Sequence, residues 1–380
     1  MEVDEKRLMT HKRRVKIGYT MALFCALFWG IWYVPGTFIW NFDVVNYFQG
    51  AIDGLSNIQV DTLLGSGEFV ASNKAFLAAA VLITGLNAAF VMLAYLVWNL
   101  FLGKEKFSEM KRSIKEMKAC TKYYFLGAIC GGPCAILGSF IAMGYVGGAF
   151  AAVAALAYPV IGTLLSATWL GQKISRRAIA GILIIVIGSI TIYAISLFEE
   201  LQAGGSLIGY IGGLMALFGW GIEGAVAAKG IDVSEPDVAI TMRFGLETLI
   251  WWVIAIPALA LMSIPVYEYA WRMISDPVIL LSLVMLGLTF GFCYVTWYKS
   301  FPLIGVGRGQ GIGSLYGICA VIFLILFIGV DAAIGSDITH QASLLVGAAL
   351  CTAGTLIMFT EKTDCVECLR DTGESKEEES

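Results

Sequence analysis

Apolar residues run in long blocks along this chain, separated by short polar or glycine-rich stretches, and within the blocks they are continuous rather than alternating. Ten blocks are long enough to cross about 30 Å of hydrocarbon as helices. They lie at 17–40, 74–102, 122–144, 146–170, 175–197, 206–228, 237–264, 278–299, 302–329 and 341–360. The lack of a two-residue period excludes a closed β-barrel. Only glycine or proline turns ("GYVGG", "SFPLIG") divide the third block from the fourth and the eighth from the ninth. The pattern predicts an all-α integral membrane protein with ten transmembrane helices.

Between the blocks, the long polar and acidic connection at 41–73 either caps one mouth of the protein or forms a mobile loop. Residues 1–16 form a basic N-terminal segment, and 361–380, ending "GESKEEES", an acidic tail expected to be disordered. Lys and Arg set the direction. With the N-terminus inside, one face collects Lys6, Arg7, Lys12, Arg13, Arg14 and Lys16, then seven more from Lys104 to Lys122 inclusive. Lys173, Arg176, Arg177, Lys229 and Lys299 join them, while the opposite face has only Lys74 and Arg272 beside many acids. Both termini are therefore expected in the cytoplasm, and the protein in the cell (plasma or inner) membrane.

Composition agrees: 58% of residues are hydrophobic and 14% charged, against roughly 25% charged in soluble domains. The net charge of −4, with the basic residues in short loops, suggests no nucleic-acid partner. The two histidines, His11 and His340, lie outside the blocks, which removes a His-based metal site and a Ser-His-Asp triad. No Walker loop is present, so nothing points to nucleotide-driven work. Most of the nine cysteines sit in apolar blocks as small hydrophobes. The pair Cys365 and Cys368 supplies two of the four ligands a structural zinc needs. Neither enzymatic activity, cofactor nor metal is expected.

One phrase occurs twice. "ALFWGIWYV" (26–34) returns within "ALFGWGIEGAV" (216–226), pairing Trp29-Gly30 with Trp220-Gly221. "YVGGAFAAVAALAYPVIGTLLSATWLG" (145–171) aligns without a gap to "LIGVGRGQGIGSLYGICAVIFLILFIG" (303–329), pairing Tyr158 with Tyr316. The offsets are 220 − 29 = 191 and 316 − 158 = 158, and their difference of 33 is the length of the connection at 41–73. Residues 17–197 and 206–360 thus read as two copies of a five-helix unit. Five is odd, so the second copy enters from the opposite side. Such inverted repeats are the plan of secondary transporters, whose site lies near mid-membrane between the halves.

The helix-opening "ALFWGIWYV", the run "ALAYPVIGTLLSATWLGQKISRRAIAGILIIVIGSITIY" and its later partner resemble the EamA-type drug/metabolite transporter (DMT) superfamily. The resemblance covers most of residues 20–360. The chain departs from the family pattern in its long first external loop, in Gly317 where the fourth-helix copy has Pro159, and in Gln172 where Glu is common. The resemblance implies a ten-helix transporter with cytoplasmic ends and a cavity lined by spans 1, 3, 4, 6, 8 and 9. Its substrates range over amino acids, amines, sugars, nucleotide sugars and drugs.

Four ionisable residues lie inside the blocks: Glu223, Arg243, Glu247 and Arg308. Arg243 and Glu247 are four apart on one helix face and are expected to form a structural ion pair. Glu223 and Arg308 lack partners in their own helices, so they either pair across helices or serve a substrate. Of the aromatics in the cavity-lining spans, Trp29 and Tyr33 share one face and Trp220 is the repeat partner of Trp29. The expected recognition surface is Glu223 with Trp29, Tyr33 and Trp220, faced by Arg308 and Gln310, with Tyr158 and Tyr316 nearby. A carboxylate beside aromatic faces suits an amine or amino-acid ammonium. A sugar or nucleotide sugar would use mainly the aromatics and Gln310, and a channel or ten-helix receptor is the non-transporter alternative. The expected partners are the lipid bilayer and a small-molecule substrate. A coupling proton or sodium ion and a homodimer are left open.

Overall fold

The computed structural model describes residues 2–41, 57–61, 68–102, 105–116, 118–145, 155–202, 207–232, 234–329 and 338–362. Two antiparallel strands, β1 (Asn57–Asp61) and β2 (Glu68–Ser72), form a hairpin within the long first connection. The other described elements are helical. The first half comprises α1 (Glu2–Asn41), α2 (Asn73–Leu102), α3 (Glu105–Glu116), α4 (Lys118–Ile129), α5 (Leu137–Tyr145), α6 (Tyr158–Thr168) and α7 (Arg176–Gln202). The second comprises α8 (Leu207–Ile231), α9 (Pro236–Leu249), α10 (Ile256–Leu261), α11 (Val266–Ser275), α12 (Pro277–Ile304), α13 (Val306–Gly313), α14 (Tyr316–Ile328) and α15 (Ile338–Phe359). Two π-helical turns, Cys130–Ile136 and Ile250–Ala255, join α4 to α5 and α9 to α10 without ending the helix. The first carries Pro133, whose missing N–H a π-turn accommodates.

Among the described residues eight helices are long and apolar enough to cross a membrane. They correspond to the first three and the last five predicted blocks. The fourth block falls partly on 146–154, outside the described residues, and the fifth coincides with α7. The described residues therefore account for eight of the ten predicted spans and do not test the count itself. Two boundaries differ. The basic N-terminal segment is helical and continuous with the first span. The eighth span runs on past 299 through Pro302 to Ile304, and the break falls at Gly305, the last residue of "SFPLIG", which adopts φ +81°, a conformation a side chain would resist. Residues 363–380, with Cys365 and Cys368, lie outside the described residues.

Sequence chemistry explains the helix starts. Asp276 caps α12 by accepting hydrogen bonds from the N–H groups of Val278 (2.8 Å) and Ile279 (3.1 Å), with Pro277 at the first helical position. Pro236 likewise occupies the first helical position of α9, without a side-chain cap.

The helix pairings repeat with the halves exchanged. α1 lies along α12, and its repeat counterpart α8 lies along α4–α5. α1 also packs on α14, and α8 on α6. A Cβ on Gly30 would meet Cys319, and one on Gly221 would meet Ile161. Those pairs are 221 − 30 = 191 and 319 − 161 = 158 residues apart, the two offsets of the sequence repeat. The fifth helices of the halves, α7 and α15, pack through Gly181 against Gly354 and Gly188 against Gly347. They therefore run antiparallel, and the equivalent helices of the two copies are inverted. Glycine at these crossings lets backbones touch, which is how helices associate where lipid removes the hydrophobic drive between them.

Candidate substrate site between the two halves

α8 and α9 follow one another closely in the chain, and the side chain of Arg243 on α9 reaches Glu223 on α8. Arg243 Nε donates to Glu223 Oε1 at 2.7 Å, and its Nη1 donates to Glu247 Oε2 one turn along α9. All three side chains are buried, at 0–1% exposure. Two carboxylates thus face one guanidinium, and the cluster carries one net negative charge when all three groups are ionised. An isolated charge at this depth costs several kcal/mol, so each must be answered by a neighbour.

The neighbours are aromatic. Tyr294 donates to Glu223 Oε2 at 2.9 Å and Tyr298 to Oε1 at 3.3 Å, both from α12. Trp251, in the second π-turn, points its N–H at Glu247 Oε1 across 3.4 Å. The guanidinium lies 4.0 Å from the ring centre of Phe244 and 4.9 Å from that of Tyr294, within cation–π range. Among the described residues its Nη2 has no hydrogen-bond partner.

The first half closes the cluster with two glycines of its π-turn. A Cβ on Gly131 would lie 2.6 Å from the Glu223 carboxyl carbon, and one on Gly132 would lie 2.6 Å from that of Glu247. No side chain fits there.

Most residues singled out in the sequence come together. Trp29 stacks on Tyr316 at 4.4 Å and meets Trp220 edge-on at 4.7 Å and Tyr158 at 5.6 Å. Tyr33 stacks on Tyr316 at 5.6 Å. Tyr158 donates to the Gln310 carbonyl at 2.9 Å, and Gln310 Nε2 donates to the Trp220 carbonyl at 3.0 Å. Trp220 then donates to the Tyr294 hydroxyl at 3.0 Å, which donates to Glu223. The chain of contacts from Trp29 to Glu223 is continuous, and every member is buried. Trp29 Nε1, Gln310 Oε1 and the Nε1 of Trp297, whose ring lies 6.1 Å from that of Trp29, are among the buried polar atoms without a hydrogen-bond partner among the described residues. Each costs roughly 1–3 kcal/mol if nothing meets it.

Arg308 is placed elsewhere. The expectation that it faces Glu223 is corrected: its guanidinium forms a bidentate pair with Glu361, at 2.9 and 3.0 Å, just beyond α15. Ser175 also donates to Glu361, and Gln172 accepts the Val306 N–H at 3.1 Å. Glu361, assigned to the tail by sequence, is buried at this end of the bundle. Glu361→Gln is expected to lower stability by about 1–3 kcal/mol, because it weakens the acceptor of a buried guanidinium. Thermal melting of the purified protein reads this out.

Tyr294, Tyr298 and the glycines of the first π-turn belong to the site although sequence reasoning did not select them as site residues. Their signals were the aromatic cluster "YVTWY" (294–298) and the Gly131-Gly132-Pro133 break in an apolar block.

A buried, net-negative cluster walled by aromatic rings and closed by both halves defines a polytopic membrane protein with an enclosed polar centre. Residues 64–194 match the EamA-like transporter family, which belongs to the DMT superfamily. The match spans much of the first half and points to a membrane transporter rather than an enzyme. A solved structure described as "Crystal structure of protein" is 15% identical, with a TM-score of 0.52 over 90% of this chain and 96% of that one. That likeness is one of fold. No curated protein matches the chain.

Proposed function

We propose that this chain is a gradient-driven or facilitative secondary transporter of a small polar metabolite bearing an ammonium group, an amine or amino acid, working by alternating access. The observation that carries the reading is the excess carboxylate in the cluster of Glu223, Arg243 and Glu247, buried under Trp and Tyr rings. An incoming ammonium would balance that charge and find aromatic faces to lie against. Trp29, Tyr33, Trp220, Tyr158, Tyr316 and Gln310 form the wall beside it. A coupling proton or sodium ion would occupy the same excess charge when the substrate is absent.

A second reading, a carrier of sugars or nucleotide sugars, draws on the side-chain Oε1 of Gln310 and the indole N–H groups of Trp29 and Trp297, which have no hydrogen-bond partner among the described residues. Sugar hydroxyls both donate and accept, and would satisfy all three. Flux into proteoliposomes, screened over amines, amino acids, sugars and nucleotide sugars, tests the proposal. Amine or amino-acid uptake supports the first reading and sugar uptake alone supports the second. Binding without flux would indicate a receptor, and conductance far above carrier rates a channel.

The proposed orientation places both termini in the cytoplasm of a plasma membrane. Single cysteines introduced between 104 and 122 are expected to react only with reagent supplied from the inside of intact cells, and labelling from outside would reverse the orientation.

A further inference from the structure

α2 and α12, one from each half, leave a groove of about 430 Å³ on the outer face of the bundle, within the roughly 300–1,000 Å³ of small-ligand sites. Its walls are Val97 and Phe101 on one side and Leu288 and Phe292 on the other. These side chains are exposed, Phe101 at 83% and Val97 at 45%. The floor is Tyr95 and Gly291, and the Tyr95 hydroxyl is turned away into a 2.9 Å bond to the Gly291 carbonyl. The lining presents hydrocarbon to an occupant.

The groove follows α2 from Phe90 to Phe101 and α12 from Val284 to Val295. Eleven helical steps rise about 16 Å, close to half of the ~30 Å hydrocarbon thickness, or one leaflet. One end is marked by charge. Lys299 pairs with Asp237 at 2.9 Å, and the indole N–H of Trp98, in the groove wall, donates to the same Asp237 oxygen at 3.3 Å. Lys299 Nζ lies 5.7 Å from the Trp98 ring centre and remains 27% exposed. Trp and Lys together mark the level of headgroups.

The structure assigns this groove to one acyl chain of an anionic phospholipid, with its phosphate beside Lys299. A chain held there touches both halves at once, so it favours the arrangement of α2 against α12 in which the groove exists. Lipid binding requires only the membrane fold, and it stands or falls apart from the substrate reading.

The test uses the full chain in nanodiscs containing a phosphatidylglycerol or a phosphatidylcholine with a photoactivatable diazirine in mid-chain. Adducts are mapped by mass spectrometry and compared with those on the exposed face of α15, at Leu345 and Val346. Phosphatidylglycerol adducts in 90–101 and 284–295 should exceed those on α15 by about tenfold, or about 1.4 kcal/mol of preference. Two variants fill the groove. In Gly291→Leu the first added carbon makes only ordinary contacts, the nearest at 3.7 Å, and Leu288→Trp adds bulk from the exposed wall. Either should reduce groove adducts to the α15 level while leaving those on α15 unchanged. Lys299→Gln should keep the adducts and lose the preference for phosphatidylglycerol over phosphatidylcholine. Equal labelling of groove and α15 in the wild type, or groove adducts that survive both filling variants, would overturn the assignment. An undiminished phosphatidylglycerol preference in Lys299→Gln would overturn its headgroup half.

Discussion

Arg243→Gln is expected to abolish transport and to lower folding stability by about 3–5 kcal/mol, the cost of leaving one side of a buried ion pair without its partner. The reason is stoichiometric. Arg243 is the guanidinium that contacts both Glu223 and Glu247, and both carboxylates are fully buried. Removing it leaves two like charges in an apolar environment, held only by the hydroxyls of Tyr294 and Tyr298 and the indole of Trp251. Adding Glu223→Gln and Glu247→Gln to the same chain should recover most of the melting temperature, since the uncompensated charge is then gone. Transport should stay absent. If the triple variant transported normally, the cluster would be structural and the substrate site would lie elsewhere.

Gly131→Ala should also cost most of the activity, with one added methyl group. Its Cβ would fall on the Arg243 guanidinium and 2.6 Å from the Glu223 carboxyl carbon, so the salt bridge must open or the π-turn must shift. Gly127→Ala, one turn earlier, is the matched control, because its Cβ would lie 3.7 Å from Arg243 Cγ in ordinary contact. Helix propensity favours alanine over glycine by about 1 kcal/mol at either position, so any difference between the two variants reports on the cluster. Flux should fall by about tenfold or more in Gly131→Ala, about 1.4 kcal/mol of lost function, and stay near wild type in Gly127→Ala. Equal flux in both would show that the glycine makes room for nothing that matters.

The spans could be read from the chain because long apolar blocks have no other solution in lipid: every backbone group must be paired within its own helix. The repeat was legible from "WG" and the gapless match, and the contacts of Gly30 and Gly221 follow the same offsets. The partners of the charges were harder to read. Arg243 and Glu247 announced each other by spacing, but the bond from Arg243 to Glu223 depends on how α8 and α9 are phased against each other. The signal was there, since Glu223 lies 231 − 223 = 8 residues before the end of α8 and Arg243 lies 243 − 236 = 7 after the start of α9. Two helices of a hairpin bring such positions to one level. Arg308 misled for the opposite reason. Its acceptor, Glu361, sits in an acidic stretch that composition assigned to a solvated tail, and only tertiary packing carries that residue under α13 and α7. The π-turns have no simple sequence period, and the glycines of the first were indistinguishable from the many others that serve close helix contact.

The central claim is that the charge of Glu223 recognises the substrate rather than merely neutralising Arg243. Uptake into proteoliposomes of whichever amine or amino acid the wild type carries should be compared with Glu223→Gln, at equal amounts of folded protein confirmed by thermal melting. The amide keeps the shape and can still accept from Tyr294, while Arg243 retains Glu247 as its counter-ion, so the variant is expected to fold. It should nonetheless lose most of its uptake, because the cluster would then be neutral and offer an ammonium no excess charge. Uptake in Glu223→Gln equal to that of the wild type would contradict the account.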